Sequence, residues 1–307
     1  MFKNPVVRGS VYALLTTVIW SGNFVVARMA VGKISPMSLG AARWLVALVV
    51  LCCFALPKLK REWPVAKKFM PQILVAGLTA VTLYNPLCYL GAATTSAINL
   101  ALISVTTPIF IVIICSMLGE KQPVNTWIGC TIALAGSIYL VANGQLDRLM
   151  GLQFAFGDIL MLGAAVGFAV YSIVLRKIPE GLSQSTILTL MVFFGLIMLI
   201  PFLIWEWSQP TATFEFSGTV IFSILYTGIG NSLIAWWLWN LALENAGAAR
   251  AGMIYYGLPL LSGLFGYLFI GETMGMVHLV SGILIVGGII WSSRAPKAAA
   301  APAEAAQ

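Results

Sequence analysis

Charged side chains are scarce in this chain of 307 residues: they occupy 9% of positions, against roughly 25% in an ordinary soluble domain, while 60% of positions are apolar. A water-soluble fold of this size could not cover so much apolar surface, which excludes a soluble globular enzyme. The net charge of +7 sits in short loops beside apolar runs, so it does not form a soluble patch that would grip nucleic acid. Cysteine is sparse too, and all five (Cys52, Cys53, Cys88, Cys115, Cys130) fall inside apolar stretches, so no disulfide framework is expected. The sequence has one histidine, His278, and shows no cluster with metal-ligand spacing, no nucleophile beside a base and no glycine-rich phosphate loop. The expectation is a protein that is not an enzyme, binds no metal and needs no cofactor. No acidic pair falls in the middle of an apolar run, where proton-driven pumps usually keep one.

What is present is a succession of apolar runs of about 20 residues, each long enough to cross a hydrocarbon core of roughly 30 Å. Ten are read, at about 9–31, 36–56, 70–91, 96–118, 126–142, 157–176, 185–205, 218–241, 249–270 and 277–292. The first is too long for a signal-peptide core and no small-residue cleavage site follows it, so it is read as a retained helix. Lys3, Arg8, Lys58, Lys60, Arg61, Lys67, Lys68, Lys121, Arg176, Lys177, Arg250, Arg294 and Lys297 all fall on the side of the N-terminus; Lys33 and Arg148 fall on the other, with Arg28 and Arg43 near or within runs. Translocating positive loops is disfavoured, so both termini are expected in the cytoplasm, with the chain multiply spanning a bacterial inner membrane among its lipids. Residues 295–307 are rich in Ala and Pro and are read as a disordered tail.

The two halves resemble each other. A shift of 148 places Gly9 on Gly157, Trp20 on Phe168 and Arg28 on Arg176; a shift of 151 places Ala97 on Ala248 and Pro108 on Pro259; a shift of 152 pairs Gly119-Glu120 with Gly271-Glu272. Residues 9–142 and 157–292 then form two repeats of five helices. Five is odd, so the second copy enters the membrane from the opposite side. The expected fold class is an all-α integral membrane protein with ten transmembrane helices in two inverted five-helix repeats, an architecture that places solute at the midplane and switches access by rocking one half against the other.

Polar and aromatic residues at mid-depth are the candidate solute contacts, since an amide there should face helices or water rather than lipid. Trp20 and Asn23 share a helical face with Thr16, as an interhelical hydrogen bond or a solute contact. Tyr84, Asn85 and Tyr89 surround Pro86, which loosens the helix one turn back; the stretch either lines a cavity or is a packing kink. Asn99, Ser104 and Pro108 face Tyr255, Tyr256 and Pro259 under the repeat offset, and Pro86, Pro108 and Pro259 are candidate hinges or ordinary transmembrane bends. Of Trp236, Trp237, Trp239 and Asn240, the pair Trp237 and Asn240 is read as facing inward, across from Phe168, Tyr171 and Ser172. Arg43 is read first as a structural charge that snorkels or bonds carbonyls between the halves and second as a solute-carboxylate ligand; Glu120 and Glu272 are read first as interfacial caps or salt bridges, with Lys121 beside Glu120, and second as proton carriers; and Asp158 beside Gly157 is read as a helix cap. Such a compartment of Trp, Tyr, Phe, Asn and Ser suits a flat, partly apolar, neutral solute.

Trp20-Ser21-Gly22-Asn23-Phe24, Ala41-Ala42-Arg43-Trp44, Tyr89-Leu90-Gly91-Ala92 leading into Ala97, and the matched Pro108 with Gly119-Glu120 and Pro259 with Gly271-Glu272 together resemble the EamA group of the drug/metabolite transporter superfamily. The resemblance covers all but the tail. It implies a ten-helix solute exporter, most similar to the YddG type that exports aromatic and other neutral amino acids, working as a monomer. Facilitated flux down the solute gradient is the expected mode. The alternatives are a proton-coupled drug or metabolite antiporter and a nucleotide-sugar or phosphometabolite carrier, which would be expected to show more mid-span cations than Arg43.

Overall fold

The computed structural model describes residues 4–293 apart from 93, 96, 146, 153, 154, 179, 180 and 272; side chains at 24, 25, 27, 28, 89, 92, 97, 98, 148 and 270 also fall outside it. Glu272, the tail and the side chains of Arg28 and Tyr89 are therefore outside the described residues. Within them the chain is helical, with one isolated antiparallel bridge between Ile34 and Phe214.

The helices are α1 (Pro5–Ala30), α2 (Pro36–Ala66), α3 (Met70–Gly77), α4 (Tyr84–Ala92), α5 (Ala97–Ser104), α6 (Thr107–Met117), α7 (Val124–Val141), the short α8 (Asp147–Met150), α9 (Phe156–Val174), α10 (Gln184–Trp207), α11 (Gly218–Leu225), α12 (Ala235–Ala246), α13 (Ala248–Tyr255), α14 (Leu258–Ile270) and α15 (Met276–Ser293). Their ends follow local chemistry. Pro36 opens α2 after an extended Ser35, its missing N–H falling where no helical partner exists, and Gly271 ends α14 at φ +76°, which an L side chain adopts with strain.

Eight helical stretches among the described residues are long and apolar enough to cross a membrane: Pro36–Cys88, Asn99–Met117, Val124–Val141, Phe156–Lys177, Gln184–Trp207, Gly218–Ala246, Ala248–Phe269 and Met276–Ser293. The first has 53 residues. Drawn straight it would reach about 80 Å. It doubles back instead, through the 3-10 turn Lys67–Phe69, because Gly40 near its start touches Asn85 near its end: a Cβ at Gly40 would lie 3.2 Å from Asn85 Nδ2.

Among the described residues, regular helix is interrupted at four further places. Leu78–Leu83 joins α3 to α4 as a π-helix, and Tyr226–Ile234 joins α11 to α12 in the same way. The turns before Thr107 and Leu258 break α5 from α6 and α13 from α14, with Pro108 and Pro259 each at the second residue of the new helix. Pro108 cannot donate to the Ser104 carbonyl, and the Thr107 hydroxyl does so in its place at 2.8 Å. Pro86 lies in the first turn after the first π segment, so its ring and missing N–H act on an already widened turn; the second π segment and the helix after it contain no proline, so proline is not what widens both.

Packing joins the halves throughout. α7 lies along α15, α2 along α10, and α6 against α13. α1 packs on α12, α13 and α14, while α9 packs on α4, α5 and α6; α2 meets the second π segment and α10 the first. The α7 and α15 backbones approach closely because Gly129 and Gly288 face each other: a Cβ at Gly288 would sit 2.6 Å from the Gly129 carbonyl.

Two carboxylates fasten α2 to α10, one at each end of the pair. Glu206, in the last turn of α10 and 7% exposed, accepts from the backbone N–H of Met37 (2.7 Å) and of Ser38 (2.8 Å) and from the Ser38 hydroxyl (2.6 Å), satisfying the N-terminus of α2. At the other end Glu62 of α2 accepts from the Ser183 N–H and hydroxyl, both at 2.9 Å, where α10 begins. Each carboxylate supplies negative charge where helix N–H groups lack partners.

Candidate functional site

Aromatic rings from both halves meet at the centre. Trp20 of α1 lies 5.6 Å from Phe168 of α9, 5.7 Å from Trp236 and 5.3 Å from Trp239 of α12, and 5.7 Å from Tyr255 of α13, between ring centroids. Phe168 stacks on Tyr255 at 5.7 Å, with Trp239 at 5.5 Å and Tyr84 of α4 at 6.1 Å. Tyr171 lies 4.8 Å from Trp236, and Trp44 of α2 lies 5.3 Å from the same indole. Most pairs are edge-to-face or tilted, the arrangement that ring quadrupoles favour. Helical spacing explains the membership: Trp236, Trp239, Asn240 and Leu243 recur at three and four residues along the buried face of α12.

Hydrogen bonds fix the rings. Trp20 Nε1 donates to the Asn231 carbonyl at 3.3 Å inside the second π segment, Thr16 donates to the Ala235 carbonyl at 3.2 Å, and Trp239 Nε1 donates to Ser172 at 3.3 Å. The Tyr171 hydroxyl donates to Asn240 Oδ1. Several polar atoms nearby are buried with no hydrogen-bond partner among the described residues: Trp44 Nε1, Asn85 Nδ2, Asn231 Oδ1 and Asn240 Nδ2. A buried donor or acceptor left unpaired costs about 1–3 kcal/mol, so these four mark places where a polar solute group or a water would be stabilising.

The residues singled out in the sequence divide. Trp20, Tyr84, Phe168, Tyr171 and Tyr255 come together in the ring cluster, and Asn240 borders it. Asn23 is half-buried one turn beyond Trp20. Asn85 is turned toward Gly40 of α2. Asn99 binds both oxygens of Asp158 through Nδ2, at 3.1 and 3.0 Å, and Asp158 also accepts from Thr95 Oγ1 at 2.5 Å and from the Ala155 N–H at 2.8 Å, so Asn99 helps to tie α5 to the start of α9. Ser104 spends its hydroxyl on the Leu100 carbonyl one turn back. Tyr256 lies away from the cluster, beside Cys130 at 3.2 Å in a separate apolar nest with Ala133, Met253 and Ile285. Trp237, expected inward, packs half-buried on Phe54 at 6.0 Å; Trp236 and Trp239 hold the inward places because α12 presents their face to α1.

Arg43 is 9% exposed, with its guanidinium carbon 5.2 Å from the centroid of the Trp44 ring, a cation–π arrangement. Glu120 pairs with Arg176, whose Nη1 donates to both carboxylate oxygens at 2.8 and 2.9 Å, rather than with its neighbour Lys121. Where an open compartment is expected between the halves, the described rings touch one another. Two clefts among the described residues lie at the end of the molecule that carries Arg176 and Arg250. One, of about 350 Å³, is bordered by Glu120, Arg176 and Arg250; the other, of about 810 Å³, reaches down to Asn240.

The rings, the broken helices and the membrane-length spans belong together in a solute carrier, and the model of one family, described as the EamA-like transporter family, matches residues 7–142 and 155–294. The chain belongs to that family. This EamA-family transporter is 26% identical over 275 residues to an uncharacterized transporter of Archaeoglobus fulgidus, covering 90% of this chain and 93% of the relative. It is 26% identical to the uncharacterized transporter YetK of Bacillus subtilis, covering 86% of this chain and 80% of the relative. A probable terminal-alkyne amino-acid exporter of Streptantibioticus cattleyicolor is 24% identical, with 93% of each chain covered. One solved crystal structure matches with a TM-score of 0.75 at 20% identity over 93% of this chain and 96% of its own, which places the fold. The transporter is thus a multi-pass membrane protein that moves small molecules.

Proposed function

We propose that this EamA-family transporter exports neutral amino acids, aromatic ones above all, across the bacterial inner membrane by alternating access between two inverted five-helix repeats, as a monomer and down the solute gradient alone. One observation carries the reading: Trp20 and Phe168, equivalent under the repeat offset, touch at 5.6 Å in the middle of a buried ring cluster drawn from both halves. A residue can meet its own equivalent only near an axis that exchanges the halves, so the rings sit where a rocking motion would part them. The other contacts exchange in the same way: α1 with α12 answers α9 with α4, α1 with α14 answers α9 with α6, and Glu62 on α10 answers Glu206 on α2. Doubling back at Lys67–Phe69 divides the longest apolar stretch into two passes, and α1 adds one more, which supports ten crossings with both termini on the side of Arg8 and Arg250.

Parted rings would offer flat apolar faces together with Trp44 Nε1, Asn231 Oδ1 and Asn240 Nδ2, a set that matches an aromatic side chain and a hydrogen-bonding head of no net charge. Among the described side chains a multiply charged phosphate would lose its hydration there for one cation, Arg43. The name of the Streptantibioticus relative points to the same solute class. The test is purified protein in liposomes offered labelled amino acids, nucleosides and cationic drugs. Aromatic amino acids should move fastest, with initial downhill flux little changed when a protonophore collapses the proton gradient. Transport of nucleosides or drugs with none of amino acids would refute the substrate class, and flux abolished by the protonophore would refute uncoupled export.

A further inference from the structure

The larger cleft, of about 810 Å³, lies within the roughly 300–1,000 Å³ typical of small-molecule pockets, and its described lining comes wholly from the second half: the 3-10 turn Leu175–Lys177 after α9, the connection to α10 and its first turn, and the last turns of α12. Its walls carry complementary chemistry. Arg176 contributes a guanidinium that uses Nη1 for Glu120, Glu244 contributes an exposed carboxylate, and Gln184 bridges toward Glu244 with Nε2 at 3.2 Å. Two residues lining the cleft each keep a buried polar atom with no hydrogen-bond partner among the described residues: the acceptor Gln184 Oε1 and the donor Asn240 Nδ2, the latter on a side chain only 1% exposed. Residues able to donate (Arg176, Asn240) and to accept (Glu244, Gln184) therefore line one space, which matches a ligand bearing both an anion and a cation.

The floor of the cleft leads inward. Asn240 takes its other hydrogen bond from Tyr171, and Tyr171 lies against Phe168 and Trp236 in the central rings. Resting on the amino-acid reading above, we infer that this cleft is a loading site for the zwitterionic backbone of the transported amino acid. Arg176 and Asn240 receive its carboxylate, Glu244 and Gln184 receive its ammonium, and the Tyr171–Asn240 bond is the door between this site and the ring cluster. A solute carboxylate reaching Asn240 Nδ2 satisfies the orphan donor beside the bond that closes the door.

The experiment uses full-length protein inserted in liposomes in one orientation, with initial rates measured separately from each face for an aromatic amino acid and for its N-acetyl derivative, which lacks the ammonium. Glu244→Gln should raise the half-saturation concentration of the amino acid about tenfold from the face bearing Arg176, as loss of a charge-assisted hydrogen bond implies. From the opposite face the value should stay unchanged, and the N-acetyl derivative should respond little from either. Gln184→Leu, an independent variant at the same wall, should shift the amino acid in the same direction and from the same face. Half-saturation within twofold of the parent for both variants, or an equal shift from both faces, would overturn the loading site while leaving amino-acid export standing. A parent protein that moves no amino acid from either face would sink the export reading and this one with it.

Discussion

Glu206 is the buried carboxylate whose replacement should cost most. Changing Glu206 to Gln leaves one carbonyl oxygen for three donors and turns an amide NH2 toward the N–H groups of Met37 or Ser38. Hydrogen bonds to a charged group contribute about 1.5–3 kcal/mol each, and charge at a partly buried helix N-terminus adds up to about 2 kcal/mol. Relief of the desolvation that a buried carboxylate suffers offsets part of this, for a net loss of about 2–4 kcal/mol. The measurement is reversible unfolding in mixed micelles of rising SDS fraction, followed by circular dichroism. Glu62→Gln at the other end removes a half-buried carboxylate with two bonds, both to Ser183, so it should cost about 1 kcal/mol. Ser38→Ala should cost an intermediate amount, because it deletes the hydroxyl bond to Glu206 and the bond from Trp207 Nε1 to the same hydroxyl at 3.0 Å. A Glu206→Gln protein within 0.5 kcal/mol of the parent, the scale of an ordinary surface change, would show that the carboxylate does not hold α2 to α10.

Other substitutions separate packing from transport. Gly288→Val places carbon against the Gly129 carbonyl and should push α15 from α7, costing about 2–3 kcal/mol by the same unfolding measurement; unchanged stability would mean that the two backbones are not in contact. Trp239→Ala should reduce amino-acid flux at least tenfold at matched abundance, whereas Trp237→Ala, on the Phe54 side, should stay within about twofold of the parent; the reverse ranking in a flux assay would remove α12's inner face from the pathway. Asp158→Asn should weaken the junction of α5 with α9 by about 1–3 kcal/mol, read as faster proteolysis near Thr95, and an unaltered cleavage rate would refute that role.

How much was legible in the sequence depends on the range of the interaction concerned. The breaks before Pro108 and Pro259 were readable because a missing N–H acts within one turn of its own helix. The aromatic character of the centre was readable from Trp20, Phe168 and Tyr171, as all lie in apolar runs at depths where a ring must pack on something. Which indoles of α12 face inward was not, since Trp236 and Trp237 stand four and three residues from Asn240, Trp239 stands next to it, and only contact with α1 selects a face. Tyr256 looked equivalent to Tyr255, yet neighbours in a helix point about 100° apart, and α7 supplied Cys130 as its partner. Glu62 and Glu206 gave no signal beyond lying near helix ends, because the N-termini they cap are more than a hundred residues away.

Composition and the length of the apolar runs alone determined that this chain enters a membrane and that most of its charge lies outside those runs, because hydrophobic transfer and backbone satisfaction act on each run separately. Tertiary structure decided which rings touch, which carboxylates close which helices, and where space remains. Those outcomes depend on the relative rotation and depth of helices packed side by side, and a sequence of nearly uniform hydrophobicity does not encode helix phase strongly enough to be read one helix at a time.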